Sequence, residues 1–535
     1  MELPQPTHKN YTTLATNLRT GQIRIPQFQR DFVWTMDRSA ALLDSIVKGY
    51  PIGTFIFWRT KEQLKSVPNI GKIKLPTPKK DEIVNFVLDG QQRLISLFAT
   101  LEGLEVPRNS GKEDNFSNIY INLDAEKSDE IVTASKTNLK GKTFIRLTEL
   151  LHGSLTDLTK FSEEYHEKLD KYKQRIKAYN FSIIEIFDFP IEEATDIFTK
   201  VNVSGKALTI FEIMVAKTYD DSKKSGFDLS EKYDELIDEL EDVDYQTVSD
   251  QTVLRLIAQI LKNKSTRKTI LNIDKDKFIE TWPKAVDALK YAIDHLRDVI
   301  GVPASQLLPY LDILVCFAYF FHHQPKDLTP KQLRELENFF WRCSLGSRYD
   351  AAIDFNLAED IKRINQILEG ESPNYDWNID TSPKYLIDNG AFNPKASFNK
   401  AILCIMVSQT PRSFKNNRIV RAGSDWLKRS NSKNYHHFFP KAFLKEKGIN
   451  DSRANNIVNI TIVDEHLNKS EIGARPPSQY MKKFKKDNSK LEETMKTHLI
   501  GNLKEFGIWN DDYSTFMEKR AEIISEEMKK RIIVK

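Results

Sequence analysis

The chain has 535 residues, 40% of them hydrophobic and 29% charged, with 31 Phe and 18 Tyr; this is enough apolar material for several packed cores and excludes wholesale disorder. Its 20 Gly and 21 Pro are too few for a collagen-like or low-complexity protein, and the three widely spaced cysteines (Cys316, Cys343, Cys404) build neither a disulfide framework nor a thiolate zinc site, so a reducing, cytoplasmic setting is expected. The net charge of +4 is uneven: residues 401–535 hold 26 Lys and Arg against 16 Asp and Glu, an excess of +10 that leaves −6 on the first 400, so the C-terminal part is the one a polyanion would meet.

The opening MELPQPTHKN lacks a basic-then-apolar leader, and no export signal is expected. GQIRIPQFQRDFVW reads as extended and is punctuated by Pro26. Leu42, Leu43, Ile46 and Val47 then recur at helical spacing, with Asp37 as the expected N-cap and Gly49 with Pro51 closing the helix. GTFIFWR and IVNFVLDG read as strands, and QQRLISLFATLEGL as a helix that follows the second at once. Lysines and prolines across 61–80 mark an exposed loop. Residues 115–190 alternate strands with the charged helix EEYHEKLDKYKQRIKAY and end in the strand FSIIEIFDF; IEEATDIFTKVNVSGKALTIFEIMVAKTYD predicts helix, turn, helix. From 228 to 370 amphipathic helices dominate. The most apolar run, LPYLDILVCFAYFF, is broken by Asp312 and is shorter than the roughly 20 residues of a membrane helix, so it is expected as a buried helix and no membrane partner is expected. Residues 371–395 are rich in Pro, Gly and Asn and read as a linker. The expected architecture is α+β in three parts, 1–220, 221–395 and a basic domain at 396–535.

Two constellations carry chemistry. In VLDGQQRLISLFA a buried strand runs into Asp89-Gly90-Gln91-Gln92-Arg93 and directly into a helix. Gly90 lets the backbone turn close to a ligand, the new helix start can receive an anion, and Arg93 offers a guanidinium fork that suits phosphate. Asp89 can hold a metal-bound water or a ribose hydroxyl. The alternative is an ordinary Asp-Gly turn in which Arg93 pairs with a neighbouring carboxylate. No P-loop sequence is present. Upstream, Gln29, Arg30 and Trp34 form a second polar set beside an aromatic ring.

The second constellation lies in the basic part. NYHHFFPK is a short aromatic strand bearing His436 and His437, preceded at 412–434 by seven Lys and Arg against one Asp. Asn459 opens a second apolar strand and Asn468 stands at an expected helix start. A neutral imidazole can take a proton from water near pH 7, and Asn and His groups can share one divalent cation. The alternative is a core strand with satisfied histidines.

The order I-P-x-F-Q-R-x-F-V-W, Y-P-I-G-T and L-D-G-Q-Q-R-L, with IFTKVNVSGKALTIFEI following, resembles the N-terminal domain of GmrSD-type restriction proteins. That resemblance implies a fold similar to ParB and sulfiredoxin, and nucleotide binding and hydrolysis by Arg30, Asp89, Gln91, Gln92 and Arg93, with Gln29, Asn202 and Gly205 beside them. The family's usual N-x-G-G appears here as Asn202-Val203-Ser204-Gly205. The later order H-x(21)-N-x(8)-N resembles the HNH (His-Me finger) ββα-metal nuclease domain that closes such proteins. It implies that His437 is the general base, Asn459 orients the loop around it, and His436 and Asn468 are metal ligands. His436 stands where the family commonly has Asp or Glu; an imidazole ligand would favour Mn²⁺ or Ni²⁺ over Mg²⁺. Arg418, Arg421, Lys428, Arg429, Lys469 and Arg475 are the expected nucleic-acid contacts. The resulting expectation is a nucleotide-regulated, metal-dependent DNA endonuclease of anti-phage defence, of the modification-dependent type IV class, acting on modified phage DNA with a nucleoside triphosphate and Mg²⁺, Mn²⁺ or Ni²⁺; a homodimer is an allowed state. Two rivals stand beside it: a nucleotide-dependent sensor with a decayed nuclease site, and an RNA-cleaving toxin.

Overall fold

A computed structural model describes residues 3–27, 32–77, 82–107, 113–201, 208–220, 226–421, 423, 435–463 and 471–533. The chain divides into two compact units, residues 1–229 and 230–535.

The first unit is built on a five-stranded sheet. In chain order its described elements include β1 (Gln5–Lys9), α1 (Tyr11–Arg19), β2 (Ile23–Arg24), α2 (Met36–Lys48), β3 (Phe55–Thr60), β4 (Val84–Asp89), α3 (Gln91–Glu102), β5 (Tyr120–Asn122), β6 (Val132–Thr133), β7 (Phe144–Arg146), α4 (Glu163–Ala178), β8 (Phe181–Phe187), α5 (Ile191–Val201) and α6 (Ile210–Thr218). The sheet order is β1-β8-β3-β4-β2. β8 runs parallel to β3, β3 antiparallel to β4, and β4 parallel to β2. β1 pairs with β8 across the whole intervening unit, Gln5 opposite Glu185 and Lys9 opposite Phe181. β5, β6 and β7 make a smaller antiparallel sheet. Apolar side chains of both elements fill the core: Phe55, Phe57 and Val87 from the sheet, and Leu43, Ile46, Leu94, Leu97 and Phe98 from α2 and α3, are all buried.

Two local expectations change. Thr35, not Asp37, caps α2, its hydroxyl accepting the Arg38 N–H at 3.3 Å; Asp37 sits inside the first turn, where its charge still favours the positive helix end. Gly49 ends α2 in the left-handed conformation (φ 79°), as expected. Within the segment expected as an exposed loop, the described part 61–77 is partly packed: Leu64, Ile70 and Leu75 are buried and Asn69–Ile70 pairs with Ile73–Lys74.

The second unit is helical through α7 (Asp250–Lys262), α8 (Lys275–His295), α9 (Asp312–His323), α10 (Pro330–Leu345) and α11 (Ile353–Leu368). α9 is the apolar run: every residue from Ile313 to Phe321 is buried, and Asp312, which interrupts it, pairs with Arg255 of α7 at 2.6 Å. Among the described residues, no helix is long and apolar enough to cross a membrane. The stretch read as a linker is packed instead. Trp377 lies over the guanidinium groups of Arg348 (4.4 Å) and Arg363 (5.0 Å), which themselves converge on the buried carboxylate of Asp360. Helix α12 (Pro383–Asn389) follows, with Leu386 fully buried. The polar residues of the stretch stay largely exposed, while Pro373, Leu386 and Gly390 are buried and side chains such as Arg363 and Asn456 bond its backbone carbonyls.

Beyond helix α13 (Ser397–Ser408) come strand β9 (Tyr435–His437), a 3₁₀ turn (Ile457–Asn459), strand β10 (Ile460–Ile462), helix α14 (Pro477–Asp487) and helix α15 (Tyr513–Arg531). β9 and β10 pair antiparallel, His436 opposite Thr461 and His437 opposite Ile460. The two phenylalanines after the histidines anchor this ribbon on α15: Phe438 stacks on Phe516 with centroids 4.8 Å apart, and Phe439 meets Phe516 and Tyr513.

Candidate functional site

In the first unit β4 ends at Asp89 and α3 begins two residues later. Gly90 between them has φ 93° and caps α3 without a side-chain hydrogen bond; a β-carbon there would run into the Phe55 ring. One turn into α3, Arg93 reaches back. It donates through Nη2 to the Asp89 carboxylate at 2.8 Å and to the Thr54 carbonyl at 3.0 Å, and through Nη1 to the Ile52 carbonyl at 2.8 Å, with its guanidinium 5.1 Å from the Phe55 centroid. Gly53 is also left-handed (φ 87°), and a side chain on it would collide with this guanidinium. The Y-P-I-G-T and D-G-Q-Q-R segments are thus two halves of one corner. Gln92 ties in the end of the third motif, its Oε1 accepting the Val33 N–H at 2.9 Å. Gln91 and Gln92 are both buried. Arg93 therefore pairs with the carboxylate four residues before it and clamps two carbonyls, at a helix start whose Gly90 cap makes no side-chain hydrogen bond. Gln29, Arg30, Asn202 and Gly205 lie outside the described residues.

In the second unit the strand alternation decides what the two histidines can do. His436 is 2% exposed and packs between Phe414 (6.3 Å) and Tyr480 (6.2 Å). His437 projects to the other face and is partly open. Its Nε2 lies 2.9 Å from Oδ1 of Asn455. The Asn455 amide is oriented by a second bond, from its Nδ2 to the Phe392 carbonyl at 3.1 Å. With Oδ1 as acceptor, Nε2 must carry the imidazole proton, and Nδ1 is left with its lone pair. Burial lowers the pKa of His437 below 6.5, against an opposing push from the Asn455 contact, so the ring is neutral at pH 7. Asn459 is fully buried and works on the backbone after the histidines: its Oδ1 accepts the Phe439 N–H at 2.9 Å, and its Nδ2 donates to the carbonyls of Phe439 (3.0 Å) and Ala454 (2.9 Å).

The wall behind His437 is the stretch composition had suggested was a linker. Ile457 N–H donates to the Gly390 carbonyl at 2.7 Å, Phe392 N–H to the Asn455 carbonyl at 2.8 Å, and Asn456 Nδ2 to the Ile387 carbonyl at 2.8 Å. Arg520, completely buried on α15, donates to the Val458 and His498 carbonyls, and burial pulls its pKa down to about 9. It fixes the 3₁₀ turn from which Asn459 projects. Sequence reasoning missed Asn455 and Arg520; the Asn-Asn pair just ahead of the apolar IVNITIV was a usable signal, whereas nothing local marked the arginine.

Arg418, Arg421 and Arg475 are exposed, and Arg475 donates to the Glu471 carbonyl at 2.6 Å. Lys428, Arg429, Asn468 and Lys469 lie outside the described residues. The His436 ring is enclosed by aromatics on the face opposite His437, and among the described residues no three His, Cys, Asp or Glu side chains converge as a ligand set; the other expected ligand, Asn468, lies outside the described residues.

Comparison with known proteins bears on both regions. Residues 11–219 match the N-terminal domain of the GmrSD restriction endonuclease. Over 612 aligned positions, covering 99% of each chain, the protein is 24% identical to the uncharacterized protein MJ0686 of Methanocaldococcus jannaschii. The three motifs meeting at the Asp89–Arg93 corner fall within the matched span, so residues 11–219 form a domain of the GmrSD N-terminal type.

Proposed function

We propose that the chain is a DNA endonuclease that cuts at His437 and is regulated by a nucleoside triphosphate bound at the Asp89–Arg93 corner. The observation that carries this reading is the fixed tautomer of His437: a neutral, half-buried imidazole held by Asn455 at Nε2, with Nδ1 open as a base. In the proposed reaction Nδ1 takes a proton from a water as its oxygen bonds to phosphorus. The bond from phosphorus to the leaving oxygen breaks, and that oxygen takes a proton from solvent. Only an unprotonated ring can begin this, and burial keeps it so. The restriction-endonuclease domain matched by residues 11–219 supports DNA as the substrate, and exposed Arg418, Arg421 and Arg475 supply cations for its backbone. The Asp89–Arg93 corner at the start of α3, with the Arg93 guanidinium and a Gly90 cap that adds no side chain, is the element proposed to receive the nucleotide. Restriction of modified phage DNA in the cytoplasm, with a divalent cation as cofactor, is the biological form of this proposal.

The test is conversion of supercoiled plasmid to nicked and linear forms, with Mg²⁺, Mn²⁺ or Ni²⁺ and with or without each nucleoside triphosphate, on plasmids with and without modified cytosine. Nucleotide-dependent cutting is the expected result. DNA binding without cutting in every condition would make the chain a sensor, and cutting confined to RNA would make it a ribonuclease; either overturns the proposal.

A further inference from the structure

Helix α14 has two faces of opposite character. Pro477, Tyr480, Met481 and Phe484 are buried. Gln479, Lys482, Lys483 and Lys486, spaced i, i+3, i+4 and i+7, form one exposed ridge, about 10 Å long at 1.5 Å per residue, with Lys485 beside it 5.5 Å from the Trp509 centroid. The buried face docks on the histidine ribbon. Tyr480 donates its hydroxyl to the Phe438 carbonyl at 2.5 Å, and its ring contacts His436 and Phe438. The ridge is therefore rigidly referenced to the strand that carries His437.

Helix stability does not explain this face. On α15 of the same unit, Lys519, Lys529 and Lys530 pair with Glu522, Glu526 and Glu527. On α14, among the described residues, no carboxylate pairs with Lys482, Lys485 or Lys486, and like charges at this spacing destabilise a helix. Lys483 is held differently. The buried Glu471 carboxylate accepts both Lys483 and, at 2.6 Å, Lys415 from the basic loop before the histidines. These two ammonium groups pull its carboxyl down to about 2. One carboxylate thus fixes two cations, ties loop to helix and leaves a net positive charge.

We propose that the α14 ridge, with Lys415, is the track on which the phosphate backbone of duplex DNA lies as it is presented to His437. The inference rests on the endonuclease reading of that residue. A 10 Å ridge spans about three phosphates of one strand. The ridge residues themselves are non-aromatic, and the Trp509 ring beside them is engaged by Lys485; a row of cations without a run of stacking rings favours duplex over single strands.

The experiment is fluorescence anisotropy of a labelled 30-base-pair duplex against the full chain, without divalent cation so that nothing is cut, over a series of salt concentrations. Lys482→Gln, Lys485→Gln and Lys486→Gln together should weaken binding at least tenfold in about 0.1 M salt and reduce the log–log salt slope by about 2.7, at 0.9 per phosphate contact. The matching Lys→Arg triple should keep the parental affinity, and Lys519→Gln, Lys529→Gln and Lys530→Gln should change nothing. The inference is overturned if the parent does not bind the duplex, if the α14 Gln triple binds like the parent, if both Gln triples weaken binding equally, or if the α14-dependent ligand is single-stranded RNA. A chain that binds through α14 yet never cuts would sink the endonuclease reading alone; one that cuts and ignores the α14 substitutions would sink this inference alone.

Discussion

Asn455 offers the sharpest test of how His437 works. When Nδ1 takes a proton the ring becomes an imidazolium, and its Nε2–H bond to Asn455, 2.9 Å long in the resting state, becomes charge-assisted. Such a bond is worth about 1.5–3 kcal/mol, so losing it should slow cutting by roughly 10- to 150-fold. Asn455→Ala removes that bond and the donor to the Phe392 carbonyl, the second at a stability cost of about 1 kcal/mol. Asn455→Asp acts through charge: a carboxylate beside the ring favours the imidazolium and should raise its pKa by about 1–3 units. In the parent, burial keeps the pKa under 6.5, so the initial rate of plasmid nicking should be level above that pH and decline only below it. In Asn455→Asp the acidic limb should move to higher pH, with fewer neutral rings at pH 7. Nicking rates from pH 5 to 8.5, with melting temperatures alongside, separate the effects. An Asn455→Ala variant that cuts at the parental rate, or an acidic limb that stays put in Asn455→Asp, refutes the assigned tautomer.

Three further outcomes follow from the geometry. Asp89→Ala should abolish nucleotide binding in calorimetry while leaving the fold; Arg93→Ala should do so too and also lower the melting temperature, because the Ile52 and Thr54 carbonyls lose their donors, about 1–3 kcal/mol. Parental affinity in Asp89→Ala would place the nucleotide elsewhere. His436→Asp should destabilise the second unit by several kcal/mol, since it buries a carboxylate between Phe414 and Tyr480, without altering which cation supports cutting; a stable variant with a changed cation preference would restore His436 as a ligand. Burial holds His295 and His498 at about 4, so the unfolded chain takes up protons below 6.5 that the folded one refuses. Stability from these groups is complete above 6.5 and is lost as pH falls toward 4, about 2 kcal/mol per histidine between pH 6.5 and 5; denaturant titrations giving equal stability at pH 7 and pH 5 would contradict their buried, neutral placement.

Local pattern carried much of this protein. α2, β3, β4 and α3 are legible from apolar spacing and from Gly49, and the ribbon of β9 and β10 from its aromatic and β-branched residues. Long-range pairing was not. β1 reads as a polar N-terminal stretch until β8, at residues 181–187, supplies its partner. Residues 371–395 read as a linker because their polar residues are largely exposed, and only Arg348 and Arg363 show what holds Trp377. The adjacent histidines suggested one shared centre, but a strand sends neighbours to opposite faces, and the partner of His437 came from Asn455 instead. In the DGQQR corner the motif was visible while its mechanics were not: Arg93 clamps the loop of another motif before it can serve any ligand.

The central claim is that His437 is the base of a DNA-cutting centre. Its most direct test is His437→Ala in the full chain, with plasmid cleavage, nucleotide hydrolysis and melting temperature measured on one preparation. Loss of a general base predicts a fall in cleavage of at least ~10²-fold, with nucleotide hydrolysis and melting temperature at parental values. Cleavage by His437→Ala at the parental rate would contradict the claim outright.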